Sequence, residues 1–230
     1  MVVALRSDSG KIEVINLRSR PDRRDAMKRE LERIGWQADF FETEKPSDAA
    51  GFPSVGARGC FESHLAVLRR NRGVDRLVVL EDDVNFARDF GHLWSEAERE
   101  LERVDWSICY LGHQLPVEKF GLILLDSSQA VRCSHFLMFN GLSLAQIIAE
   151  LEVIYSRPPG HPDGGPMHVD GAYSTIRAQR PHLKTYAYVP SLGYQRSSRT
   201  DIADDKWFDR SSVLRPLVDL ARRAKDAFRH

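Results

Sequence analysis

Three consecutive carboxylates, Glu81-Asp82-Asp83, directly follow an apolar run, Arg76-Leu-Val-Val-Leu80. Adjacent acids at the end of a buried strand repel one another, and a cation offsets that repulsion. Oxygen ligands of this kind suit Mg²⁺ or Mn²⁺, which take one or two carboxylates and share the rest of their shell with phosphate and water. The alternative is a solvated acidic turn. The opposite charge gathers upstream, where seven basic residues stand against four acids between Arg18 and Arg33. Arginines at a helix N-terminus form a ready anion site. Taken alone, that stretch reads as an ordinary charged helix face. Paired with the acidic triplet, it predicts a site for a metal-bridged diphosphate.

These residues need elements that bring them together. Ile12 to Leu17 reads as a short buried strand. Pro21 suits a first helical turn, Met27, Leu31 and Ile34 follow at helical spacing, and Gly35 ends the helix. Gln37 to Thr43 is strand-like, and Glu44 to Arg58 is a Pro/Gly/Ser loop. A second helix is expected from Gly59 through Phe61, Leu65 and Leu68. The run at Leu77–Leu80 has the pattern of a strand covered on both faces, which places the acids on the loop after it. Alternation of strands and helices predicts an α/β sandwich around a mostly parallel sheet, whose ligands bind outside the carboxyl ends of the strands.

The second half is less regular. Trp106–Gly112, Leu122–Leu125, Cys133–Asn140 and Lys184–Val189 are expected strands. Leu144, Ile147, Ile148, Leu151 and Ile154 mark a helix, and a further one is expected over His168–Arg180. Arg157 to Met167 is a Pro/Gly loop. Leu214, Leu217, Ala221, Ala224 and Phe228 trace a terminal amphipathic helix with a basic outer face, which suits packing on the domain or peripheral contact with a membrane surface. The expected division is a domain over 1–202 and a helical extension over 203–230.

Composition narrows the classes. With 230 residues and 33 basic against 33 acidic side chains, the chain has the size of one domain with an appendage and no global charge favouring nucleic acid. No apolar run approaches the roughly 18–20 residues that span a bilayer, and Met1–Arg6 is short for a secretory signal. Cys60, Cys109 and Cys133 are widely spaced with no Cys-x-x-Cys pair, so neither a disulfide framework nor a zinc knuckle is indicated. A cytoplasmic chain is expected, with its only membrane contact peripheral, through the last helix.

Val14-Ile-Asn-Leu17 with Arg20-Pro-Asp22-Arg23, then Gly59-Cys60-x-x-Ser63-His64, then Leu80-Glu-Asp-Asp-Val84, resembles glycosyltransferase family 25. That family includes lipooligosaccharide and lipopolysaccharide biosynthesis enzymes and collagen galactosyltransferase domains. Asp170 in a Val-Asp context, Pro190 with Gln195, and Ser198 to Ile202 extend the likeness over most of the chain. Two departures are Glu62, where the family has an apolar residue, and a loose match from Leu115 to Phe139. The resemblance implies a GT-A-like fold, a nucleoside-diphosphate sugar donor, a divalent metal (Mn²⁺ or Mg²⁺) and inverting transfer.

It also implies roles. Asp83 is the first choice for metal ligand, with Glu81 as its partner or as a ribose contact. Asp82 counts among the donor-binding candidates, while alternation along an extended segment would also let it turn back and bond to backbone. Asn16 and Arg23 are donor-side candidates at the first strand end, and Ser63 and His64 lie near the donor phosphates in the family pattern. His64 equally fits a packed core histidine, and Cys60 a small buried hydrophobe. Asp170 is the candidate base for the acceptor hydroxyl, or else a helix N-cap. Gln195 and Asp201 would complete the donor or acceptor pocket, and His135 and His168 are further candidate ligands.

The leading expectation is therefore a metal-dependent inverting hexosyltransferase. Its donor is expected to be UDP-linked, with galactose first, and its acceptor a saccharide, glycolipid or related hydroxyl. The competing readings are a nucleotide-sugar or glycan-binding module without turnover, and a nucleotidyltransferase. The chain has no Gly-rich phosphate loop to favour the last.

Overall fold

A computed structural model describes residues 10–115 and 119–196. β1 (Gly10–Leu17) leads into α1 (Pro21–Ile34) and back to β2 (Asp39–Thr43), which lies parallel to β1. Pro21 begins α1, and Gly35 closes it at φ 73° with its N–H turned back on the carbonyls of Leu31 and Glu32. Only glycine takes that left-handed conformation without a Cβ penalty. The chain then crosses through α2 (Val55–Arg70) to β3 (Arg76–Glu81), parallel to β1 on its other side. Strand order thus reverses at β1 and β3, where an α/β sheet opens a crevice beyond its carboxyl ends.

The remaining elements are β4 (Val84–Phe86), α3 (Phe90–Leu101), β5 (Ile108–Gly112), β6 (Gly121–Leu124), β7 (Phe136–Asn140), α4 (Gly141–Ser156), α5 (Val169–Gln179), β8 (Thr185–Val189) and β9 (Gly193–Gln195). The main sheet has seven strands in the order β2-β1-β3-β7-β5-β8-β6, and β4 pairs with β9 in a separate ribbon. Only β7 and β6 run against the others. The α/β architecture therefore stands as expected, with β7 inserted antiparallel at the centre.

Side chains of β3 alternate between two cores, as the two-residue period of a strand requires. Leu77 and Val79 pack with Phe61, Leu65 and Leu68 of α2 and with Leu144 to Ile154 of α4. Val78 and Leu80 face Met27 and Leu31 of α1 and Trp94 of α3. All four are fully buried or nearly so, each contributing about 1.5–3 kcal/mol.

Several sequence expectations need correction. α2 begins at Val55 rather than Gly59, because the Ser54 hydroxyl caps it by accepting the Ala57 N–H at 3.0 Å. Glu81 is the last residue of β3, so only Asp82 and Asp83 lie in the turn. The strand expected over Cys133–Asn140 starts at Phe136. α3 and the β4–β9 ribbon had no counterpart in the sequence reading. The terminal helix, the division at 202/203 and Asp201 lie outside the described residues. Among those residues, no helix is long and apolar enough to cross a membrane.

Candidate active site

The acidic turn sits where β3 ends beside β1, and the β4–β9 ribbon holds it from the far side. Val84 pairs with Gln195, and the Arg196 N–H donates to the Asp83 carbonyl at 2.6 Å. The Gln195 amide donates to Asp83 Oδ2 at 3.3 Å. Asp83 Oδ1 is buried and has no hydrogen-bond partner among the described residues. Burial, then the neighbouring Glu81 charge, pushes the Asp83 carboxyl well above the usual carboxylate range. A carboxylate in that position is short of positive charge.

Asp82 turns the other way and meets side chains rather than backbone. Asn16 Nδ2 donates to its Oδ2 at 2.6 Å, and Arg23 Nη1 donates to its Oδ1 at 3.1 Å. Arg23 shares the buried stripe of α1 with Met27 and Leu31, one helical turn apart. That stripe carries its guanidinium under the acidic turn, where Nη1 also lies 3.6 Å from Asp83 Oδ2. A cation at a helix N-terminus is disfavoured by the macrodipole, and the two carboxylates offset that cost. Burial still raises the Asp82 pKa, against the pull of Arg23 and Asn16.

Glu81 leans toward α2. Its Oε1 lies 3.6 Å from His64 Nε2 and 3.9 Å from Cys60 Sγ. Burial opposes its ionisation most, but the His64 contact and the His135 and Arg23 charges together outweigh burial and hold its pKa below the usual value. His64 is fully buried, and its Nδ1 meets the Tyr173 hydroxyl of α5 at 3.2 Å. Ser63 is also buried, and its hydroxyl donates to the Gly59 carbonyl at 2.6 Å. Glu62, the departure from the family pattern, accepts from Arg58 at 2.8 Å and from the Tyr155 hydroxyl at 2.7 Å.

Two cavities meet at this turn. The first, of about 310 Å³, is lined by Ile15, Arg23, Lys45, Ser63, Asp82 and Asp83, among others. The second, of about 250 Å³, is lined by Arg132, Cys133, His135, His168 and Asp170. Cys60, Glu81 and Gln195 line both. The structure thus brings Arg23, Ser63, Glu81, Asp82, Asp83 and Gln195 to one cavity and Asp170 to the adjoining one. Asn16 and His64 stand behind these walls, bonded to Asp82 and facing Glu81.

Asp170 lies inside the first turn of α5, whose N-cap residue is His168. Its Oδ1 accepts the Gly171 N–H at 2.8 Å. Sequence reading missed Lys45, the one lysine among the described residues that line the first cavity. Its signal was a basic residue two positions past the end of β2. Cys60 was read as a packing residue, yet it borders both cavities.

Residues 10–120 match the family described as glycosyltransferase family 25 (LPS biosynthesis protein). Mouse procollagen galactosyltransferase 2 is 25% identical over 128 residues of alignment, covering 45% of this chain and 20% of the relative. The chain therefore spans about a fifth of that relative's length. Among solved structures, a glycosyltransferase involved in glycosylation of the major capsid of PBCV-1 is 9% identical, covers 83% of this chain and 94% of its own, and superposes with a TM-score of 0.48. A mutant Drosophila β-1,4-galactosyltransferase 7 in complex with manganese, UDP-Gal and xylobiose is 12% identical, with 90% and 79% covered and a TM-score of 0.46. Over residues 10–120 the family match and the curated relative both support a likeness to glycosyltransferase family 25.

Proposed function

We propose that the chain transfers a hexosyl group, galactose first among candidates, from a UDP-linked donor to a hydroxyl of a saccharide or glycolipid, with inversion and with a divalent cation. The observation that carries this is the junction of the two cavities, with basic and acidic groups facing one space on one side and Asp170 on the other. The donor diphosphate takes the first cavity, where Arg23 and Lys45 supply positive charge. The acceptor takes the second.

Asp83 and Glu81 fit a Mn²⁺ or Mg²⁺ ion. Asp83 Oδ1 is a buried acceptor without a partner among the described residues, and hard oxygen ligands suit these ions. When bound, the cation offsets the charge that develops on the departing diphosphate. Asp82 holds Arg23 and the end of β1 in register beneath that charge. Gln195 orients the Asp83 carboxylate. Asp170 takes the acceptor hydroxyl proton as the hydroxyl oxygen bonds to the anomeric carbon and the nucleoside diphosphate leaves from the opposite face.

A panel of nucleotide-sugar donors, assayed with and without Mn²⁺, tests the proposal. Metal-dependent release of nucleoside diphosphate with a glycosylated product supports it. Pyrophosphate release, or nucleotide binding without release across the panel, overturns it.

A further inference from the structure

Beyond the Asp83 site, a second set of metal-ligating groups converges on Glu81 from the side of α2. Cys60 and His64 stand four residues apart on that helix, so both side chains project from one face. Cys60 Sγ, a His64 ring nitrogen and a Glu81 carboxylate oxygen all lie within 4.8 Å of one another. Two of the separations are 3.6 Å, His64 Nε2 to Glu81 Oε1, and 3.9 Å, Cys60 Sγ to the same oxygen. Tetrahedral bonds to zinc of about 2.0–2.3 Å put ligand atoms roughly 3.3–3.6 Å apart. The two contacts to Glu81 therefore need a few tenths of an ångström of contraction and the Cys60–His64 pair up to about an ångström, within reach of rotation about the Cys60 side chain.

The histidine is prepared for this use. His64 is fully buried, and its Nε2 has no hydrogen-bond partner among the described residues. Its other nitrogen meets the Tyr173 hydroxyl at 3.2 Å. Metal-bound histidines commonly anchor the second ring nitrogen in this way, which fixes the ring and leaves the first to the ion. A buried imidazole nitrogen without a partner is costly unless something takes its lone pair or its proton. Cys60 and Glu81 both border the two cavities, so a fourth coordination position opens to solvent or ligand.

We infer that Cys60, His64 and Glu81 form a three-ligand site for a thiophilic divalent ion of the zinc class, distinct from the hard-cation position at Asp83. The thiolate and imidazole select zinc or cobalt over magnesium and manganese. On binding, the Cys60 thiol proton passes to solvent, sulfur and nitrogen lone pairs and a Glu81 oxygen bond the metal, and no electron is transferred. Because Glu81 faces both positions, ions at the two sites compete for its carboxylate.

Cobalt(II) titration of the metal-stripped chain, followed by absorption, tests this directly. Expected are the visible bands of tetrahedral cobalt and a near-ultraviolet thiolate-to-cobalt charge-transfer band, both removed by equimolar zinc. Cys60→Ser loses the charge-transfer band, while Cys133→Ser and Asp83→Asn keep it. A folded wild-type chain without the band, or a band that survives Cys60→Ser and vanishes in Cys133→Ser, overturns the site. A second measurement needs no variant. Zinc should slow alkylation of Cys60 by iodoacetamide at least tenfold, mapped by mass spectrometry, and an unchanged rate overturns the assignment.

Discussion

Asn16 Nδ2 and Asp82 Oδ2 meet at 2.6 Å across a separation of 66 residues. This bond ties the end of β1 to the acidic turn after β3. Asn16→Ala removes one donor from a buried carboxylate, at a cost of about 1–3 kcal/mol. Urea denaturation should show a lower midpoint with an unchanged slope. A midpoint within error of the wild type would mean that water replaces the amide freely.

Glu13 is fully buried on β1 and accepts from Arg70 Nε at 3.0 Å, Arg70 Nη2 at 2.8 Å and Asn71 Nδ2 at 3.1 Å. Breaking a buried pair from one side costs about 3–5 kcal/mol, because the other charge is left uncompensated. The outer part of Arg70 is exposed, so Arg70→Ala should fall at the lower end of that range. Glu13→Gln together with Arg70→Met should recover much of the loss. Chemical denaturation of both variants checks the pair.

His113 predicts an acid-side loss of stability. Its Nδ1 accepts the Leu115 N–H at 3.2 Å, and its Nε2–H donates to the Tyr188 carbonyl at 2.9 Å, which fixes one neutral tautomer. Burial, with the nearby His135 adding to it, lowers its pKa below the ordinary 6.5. The unfolded chain therefore takes up a proton near pH 6.5 that the native chain refuses. Stability held above that pH is lost as pH falls toward the lower native value. Unfolding free energies measured across this range should decline toward acid, and His113→Gln should flatten the decline.

Much of this fold was legible because its signals are local. β3 is one unbroken apolar run, and Pro21 and Gly35 mark the two ends of α1. The start of α2 was hidden because Ser54 lies among prolines, glycines and serines that also read as loop. α3 carries Phe90, Trp94, Ala97 and Leu101 at helical spacing after Asp89, a local signal that the sequence reading passed over. Three-residue strands such as β4 and β9 are too short to show any period. The acidic triplet was visible as chemistry, yet its division of labour was not. Asp82 finds Asn16 and Arg23, and Glu81 finds Cys60 and His64, only through strand order and helix packing. The adjoining cavity at Asp170 likewise arises from segments far apart in the chain.

Asp170→Asn separates chemistry from structure. The amide keeps the shape and can still accept the Gly171 N–H, so folding should be unchanged. It cannot take the acceptor proton, and turnover at saturating donor and acceptor should fall by about 10²–10⁴-fold. Donor affinity should stay near the wild-type value. Turnover retained in the folded variant would remove Asp170 from the reaction.

In the proposed reaction the first cavity binds a nucleoside diphosphate and a divalent cation together through Asp83, and thermal unfolding with UDP in the presence or absence of Mn²⁺ reads that coupling. At ligand near 100 times its dissociation constant, the added stability should be about 2.7 kcal/mol. For a chain of this size, each kcal/mol raises the midpoint by roughly 2–4 °C. The predicted result is a shift with UDP only when Mn²⁺ is present, lost in Asp83→Ala. Equal shifts with and without Mn²⁺, or an undiminished joint shift in Asp83→Ala, would rule out a cation held jointly by Asp83 and the diphosphate.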